Sequence, residues 1–217
     1  MESLMMTLGS GWVSGVRPYF MIFLLGLTGR LFSLEQVPLV LQRTDVLVIA
    51  GILLVVDFAA DKIAWLDSFW DLLHTVIRPV AGGALGYLLA GETDTVTAIV
   101  MAVLGGGMAL GAHAAKATTR AAVNTSPEPV TNALVSFGED AAVVVVGLLT
   151  IVLPAVAGIL ALIMIGFGIW ALLWVRRRYT NLRARIREAR AQRAAARQGA
   201  AVAATTMGAG PHGPTPV

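Results

Sequence analysis

Two adjacent carboxylates, Glu139 and Asp140, interrupt an otherwise apolar stretch, and a dense polar string, Lys116 to Asn132 (KATTRAAVNTSPEPVTN), precedes them. Carboxylates at membrane depth need cationic partners or a raised pKa, which suits a proton or cation pathway. The chain has only two lysines, Lys62 and Lys116, and each closes an apolar run, in the contexts AADK and HAAK. Lys116 and Arg120 stand at i and i+4, so on a helix they share a face and repel unless an anion or carboxylate lies between them. Arg17 and Arg78 each directly precede a proline. The candidate anion contacts are Arg17, Lys62, Arg78, Lys116 and Arg120, with Asn124, Ser126 and Asn132. The candidate counter-charges, or proton and cation ligands, are Asp57, Asp61, Asp67, Asp71, His74, His113, Glu139 and Asp140. Buried charges are costly unless paired, so a purely structural salt-bridge lattice is the rival to a binding site.

Several chemistries are excluded. With no cysteine, there is no disulfide, thiolate metal site or thiol nucleophile. His74 and His113 lack any HxxxH or HExxH spacing, so no metal site is expected. Ser126 has no acid–base partner at a motif spacing, and neither a Walker loop nor GxSxG occurs. No cofactor is implied, and an enzyme is the least supported class.

The elements that must position these residues are membrane helices. At 57% hydrophobic, 13% charged and a mean hydropathy of +0.76, the chain reads as an integral membrane protein. Residues 176–197 hold nine arginines and one glutamate, a local +8, so the remainder sums to 3 − 8 = −5. That charge favours a membrane surface or cytoplasmic contact, and no aromatic-interleaved module points to nucleic acid. Six apolar segments can be marked, roughly 18–34, 45–60, 76–91, 95–113, 130–153 and 154–175, with Pro154 breaking the last two. The expected fold is all-α, a polytopic membrane helix bundle of about six spans, with room for short re-entrant or interfacial segments. MESLMMTLGSGW has no basic residue before Arg17, so the first apolar segment is expected to be a retained span rather than a signal peptide.

Pro18, Pro79 and Pro129 lie where spans one, three and five would start, a position proline favours. If Pro129 opens span five, Glu139-Asp140 lies ~15 Å deep; if Gly138 ends a re-entrant segment, the pair is shallow. Gly82/Gly86 and Gly107/Gly111 form small-xxx-small patterns for close helix packing. Trp12, Trp170 and Trp174 suit interfacial anchors. The domain reading is a transmembrane part, 1–175, a basic cytoplasmic helix, 176–198, and a low-complexity disordered tail, 199–217. Arginines after the last span put both termini on the cytoplasmic face of a bacterial inner membrane.

GVRPYF at 15–20, ADKIAWLDSFWDLLHTVIRPVAGG at 60–83, HAAKATTRAAVNTSPEPVTN at 113–132 and Glu139-Asp140 resemble the bacterial membrane family catalogued as domain of unknown function 4126. The resemblance runs from about Gly15 to Asp140 and implies a multi-span protein without supplying a substrate. Where the commoner family form has proline, Ala64 stands here. The residues themselves favour binding or transport of a small solute or ion through a polar site open to the cytoplasm. The alternatives are a phospholipid or polyprenyl-phosphate handling protein and a non-catalytic accessory or assembly subunit. Expected partners are membrane lipids, a small solute or ion, and a second copy or another membrane protein.

Overall fold

A computed structural model describes residues 1–60, 64–123 and 129–174, with 176, 177, 180, 187, 188 and 192; the side chains of 64–71 and 120–134 fall outside that description. The helices are α1 (Glu2–Val16), α2 (Pro18–Phe32), α3 (Thr44–Ala60), α4 (Ala64–Leu89), α5 (Thr95–Val123) and α6 (Pro129–Val152), followed by α7 (Pro154–Trp174). The described residues contain no strand. Windows in α4, α5, α6 and α7 are long and apolar enough to cross a membrane. The chain divides into two units, Met1–Leu172 and Leu173–Val217. In the second, Arg176, Arg177, Arg187, Glu188 and Gln192 are helical and exposed. The expected tail, 199–217, and most of the expected basic helix, 176–198, lie outside the described residues.

The helix hardest to see in the sequence forms the core. Eleven of the fifteen residues of α1 are buried, among them Gly9, Ser10, Gly11, Ser14 and Gly15. Such small side chains register weakly in hydropathy, yet they let backbones approach closely, which is how helices associate in lipid. A Cβ on Gly15 would strike the Ala109 carbonyl, and one on Gly11 would lie 2.6 Å from the Gly105 carbonyl. A Cβ on Gly82 of α4 would meet that same Gly105 oxygen, also at 2.6 Å, so α1, α4 and α5 close on one point. Gly107 of the expected second small-residue pair has nothing within 4 Å, and Gly105 and Gly106 make the close contacts instead. Trp12 is buried in this core, not at an interface; Trp170 and Trp174 are exposed.

Chain direction reverses at Arg17. Along α1, Gly9 meets Thr150 of α6 and Arg17 meets Asp140; along α2, Phe20 and Leu24 meet Gly147. Thus α1 runs down α6 and α2 runs back up it. α3 then descends beside α2, with Phe23 against Gly51 and Arg17 against Asp57. Each arm of this V has 15 residues, about 22 Å, short of a ~30 Å hydrocarbon core. α1 and α2 thus form a V of two short helices with Arg17 at its apex. Around Gly138, α6 is unbroken.

One expectation changes: Pro79 lies inside α4 and does not open a span, since the helix is already formed at Ala64. Met5 packs on Gly158 near the start of α7, whereas Gly168 near its far end packs on Ala115. The beginning of the chain and the far end of α7 thus lie at opposite ends of the bundle.

Candidate functional site

Pro18 creates the centre of the site. It has no N–H to give the Ser14 carbonyl, and its ring disfavours helical geometry at the preceding residue. Arg17 is accordingly extended (φ −143°, ψ 86°), ending α1 and leaving Pro18 as the first residue of α2. The break turns the Arg17 side chain into the bundle, where only 6% of the residue is exposed.

There Arg17 bridges two helices. Its Nη1 donates to Asp57 Oδ2 of α3 at 3.1 Å, and its Nε donates to Asp140 Oδ1 of α6 at 2.8 Å. The guanidinium also lies 5.6 Å from the Phe58 ring centroid, within cation–π range. The other Asp57 oxygen is 3.5 Å from His74 Nε2 of α4, and the His74 ring meets Tyr19 edge-on at 5.6 Å. Asp57, His74 and Arg78 are all at most 1% exposed.

A second group lies between α4 and α5. Arg78 Nη1 donates to His113 Nδ1, and Thr75 Oγ1 lies 3.3 Å from His113 Nε2. A guanidinium only donates, so His113 must accept on Nδ1; it is assigned as neutral, with its proton on Nε2 facing Thr75. Lys116, one turn further along α5, places Nζ 4.0 Å from Glu139 Oε2 of α6. The described cluster thus sets three cations, Arg17, Arg78 and Lys116, against Asp57, Glu139 and Asp140, with two histidines among them.

Glu139 and Asp140 serve different cations, as neighbours about 100° apart on a helix must. Among the other expected residues, Asp61, Lys62, Asn124 and Ser126 lie outside the described residues. Asp67 and Asp71 lie on α4, Arg120 on α5 and Asn132 on α6; their side chains are undescribed. Sequence reasoning missed Tyr19 and Thr75. The signal for Tyr19 was Arg17-Pro18-Tyr19 itself, since a residue just after a helix break points back toward it. No group of three or more metal-ligating side chains occurs among the described residues.

Among curated proteins and solved structures, nothing matches this chain. A family does, over residues 4–174, which reaches from within α1 to the end of α7 and so extends past both ends of the polar strings. The protein is a membrane-spanning helical member of the family described as Domain of unknown function (DUF4126).

Proposed function

We propose that this protein binds or moves a small charged solute or ion across the bacterial inner membrane, through the polar cluster at the α1–α2 break. One observation carries the reading: Arg17, 6% exposed, sits between two short helices and bridges Asp57 and Asp140. Discontinuous helices meeting at buried charge are a recurrent way to build a solute site within a membrane. As a mere staple the cluster would be uneconomical, since apolar side chains of similar volume often stabilise at least as well as a buried ion pair. Each of these pairs holds a cation that an incoming anion could take over, or a carboxylate that a proton could release.

The positive-inside rule gives the orientation. The arginines that follow α7 put the Arg17 end of the bundle on the cytoplasmic side, and the start of α1 then faces the opposite side.

A second reading, lipid-phosphate handling, has its own support. An apolar groove of about 530 Å³, lined by Phe23, Leu47, Gly51, Ile52, Val55 and Val56, runs along α2 and α3. An acyl chain lying there would run along α3, the helix that carries Asp57.

The test is native mass spectrometry of the protein in lipid nanodiscs, comparing the wild type with Arg17→Gln and, as a control, Arg43→Gln. A bound inorganic anion or small solute lost only in Arg17→Gln supports the first reading; loss of a phospholipid or polyprenyl phosphate supports the second. Identical bound species in all three proteins would remove both and leave an accessory role.

A further inference from the structure

The charged cluster accounts for one end of α1 and leaves a polar stripe above it unexplained. Thr7, Ser10, Ser14 and Arg17 follow one another at spacings of three, four and three residues. At 100° per residue they fall within about 80° of the helix circumference, one face roughly 15 Å long. The three hydroxyl residues are fully buried, each 0% exposed.

Hydroxyls on a helix ordinarily fold back on a carbonyl three or four residues earlier. They do so repeatedly in this protein: Ser10 donates to the Thr7 carbonyl, Thr28 to Leu24, Thr118 to Ala114, Thr119 to Ala115 and Thr150 to Val146. Thr7 Oγ1 and Ser14 Oγ make no hydrogen bond among the described residues. The Ser14 carbonyl also loses its ordinary intrahelical donor, because residue 18 is proline. Two buried hydroxyls that forgo the default bond, on the face that ends at a buried guanidinium, call for a small hydrogen-bonding partner. Water is the one that fits buried polar groups of this kind, where it typically makes two to four bonds.

We propose that the hydroxyl face of α1 is occupied by a file of ordered water molecules connecting the Arg17 cluster toward the N-terminal end of the bundle. As a solvent and proton route, the file deepens the transport reading and rests on it only for its purpose. Hydroxyls serve such a route because each both donates and accepts. Thr7 and Ser14, about 10 Å apart, would be joined by successive waters with Ser10 between them.

The native chain has no cysteine, so a single introduced thiol reports its own surroundings. Thr7→Cys and Ser14→Cys would be prepared in lipid nanodiscs and treated with methyl methanethiosulfonate, a small neutral reagent that reaches the membrane interior but reacts with ionised, hence hydrated, thiols. Val13→Cys, at a fully buried apolar position, is the dry control and Thr93→Cys the exposed one. Mass spectrometry should show both test thiols modified at least about ten-fold faster than Val13→Cys. Thiols as inert as Val13→Cys would overturn the proposal.

If the variants misfold, radiolytic hydroxyl-radical footprinting of the unaltered protein decides. Met6 is 1% exposed and stands one turn from Ser10, so adjacent water predicts its oxidation and a dry face predicts its protection. Hydrated thiols with no solute bound at Arg17 would keep the file and remove the transport reading; inert thiols with solute binding would do the reverse.

Discussion

Arg17 and Asp57, forty residues apart in sequence, share a 3.1 Å hydrogen-bonded ion pair with side chains only 7% and 1% exposed. Little water screens the pair, and neither charge is easily left alone. Removing one partner of a buried pair typically costs about 3–5 kcal/mol, whereas replacing both with apolar groups can be nearly neutral. Asp57→Leu should therefore lower thermal stability in detergent more than the double change Arg17→Met/Asp57→Leu. If the effects simply add, the bond contributes little to the native state. The measurement must allow for Asp140, which the double change leaves without its arginine.

Glu139 and Asp140 should behave as separate residues. Asp140 accepts a 2.8 Å bond from Arg17, whereas Glu139 lies 4.0 Å from Lys116. Asp140→Asn is expected to lower the melting temperature more than Glu139→Gln, and a Lys116/Glu139 double-mutant cycle reads the second pair by itself. Equal losses would mean that the two carboxylates act as one unit.

Glycine positions offer a sharp contrast. Gly15→Ala pushes a methyl group into the Ala109 carbonyl and the Ala112 side chain and should abolish stable assembly. Gly107→Ala meets nothing within 4 Å and should stabilise α5 by about 0.5–1 kcal/mol through backbone entropy. Size-exclusion profiles and melting curves read both outcomes. A neutral Gly15→Ala would show that α1 and α5 can separate at little cost.

Where the sequence was legible, proline and apolar length explain why. Pro18 and Pro154 open helices as expected, since a first-turn proline loses nothing by lacking an N–H. The same residue type misled at Pro79, because neighbouring helices in a membrane protein can tolerate a proline within a helix. Arg17, Asp57, Arg78, Lys116, Glu139 and Asp140 stood out as costly charges, but which pairs with which depends on helix register, and one sequence does not contain that. Hydropathy passed over α1 because its burial rests on Gly9, Gly11 and Gly15, whose contribution is closeness rather than apolar area. With α1 overlooked, the reversal at Arg17 and the opposite placement of the chain's beginning were out of reach.

Sidedness has a direct test. With the arginine-rich end cytoplasmic, Glu2→Cys and Thr93→Cys should react with an impermeant maleimide in intact cells, and Thr119→Cys should react only after lysis. Protection of Glu2→Cys alongside labelling of Thr93→Cys would return the N-terminus to the cytoplasmic side and contradict the V of α1 and α2.

Asp94 caps the exposed start of α5, accepting from the Val96 and Thr97 amides at 3.0 and 3.1 Å and from the Thr97 hydroxyl at 2.6 Å. The Thr97 hydroxyl, followed by its amide, holds the carboxyl below its ordinary pKa. A lowered folded pKa stabilises the cap fully above the unfolded value, and the benefit is lost as pH falls through the folded one. Amide exchange at residues 95–98, corrected for intrinsic rate, should rise in acid in the wild type and be elevated already at neutral pH in Asp94→Ala. An acid-insensitive wild type would exclude the ionised carboxylate as the cap.

The position of α1 also bears on how the chain is made. Arg17 leaves the ribosome 123 residues ahead of Asp140, so the helix destined for the middle of the bundle is synthesised before the helices that enclose it. During that interval its guanidinium must stay near headgroups or in the insertion machinery, since neither carboxylate partner has yet arrived. Biogenesis of this protein is then a problem of timing: slowed synthesis between α3 and α6 should lengthen the life of a half-assembled chain open to membrane quality-control proteases. Asp57, emerging first of the two acidic partners, would set when that vulnerable period begins to close.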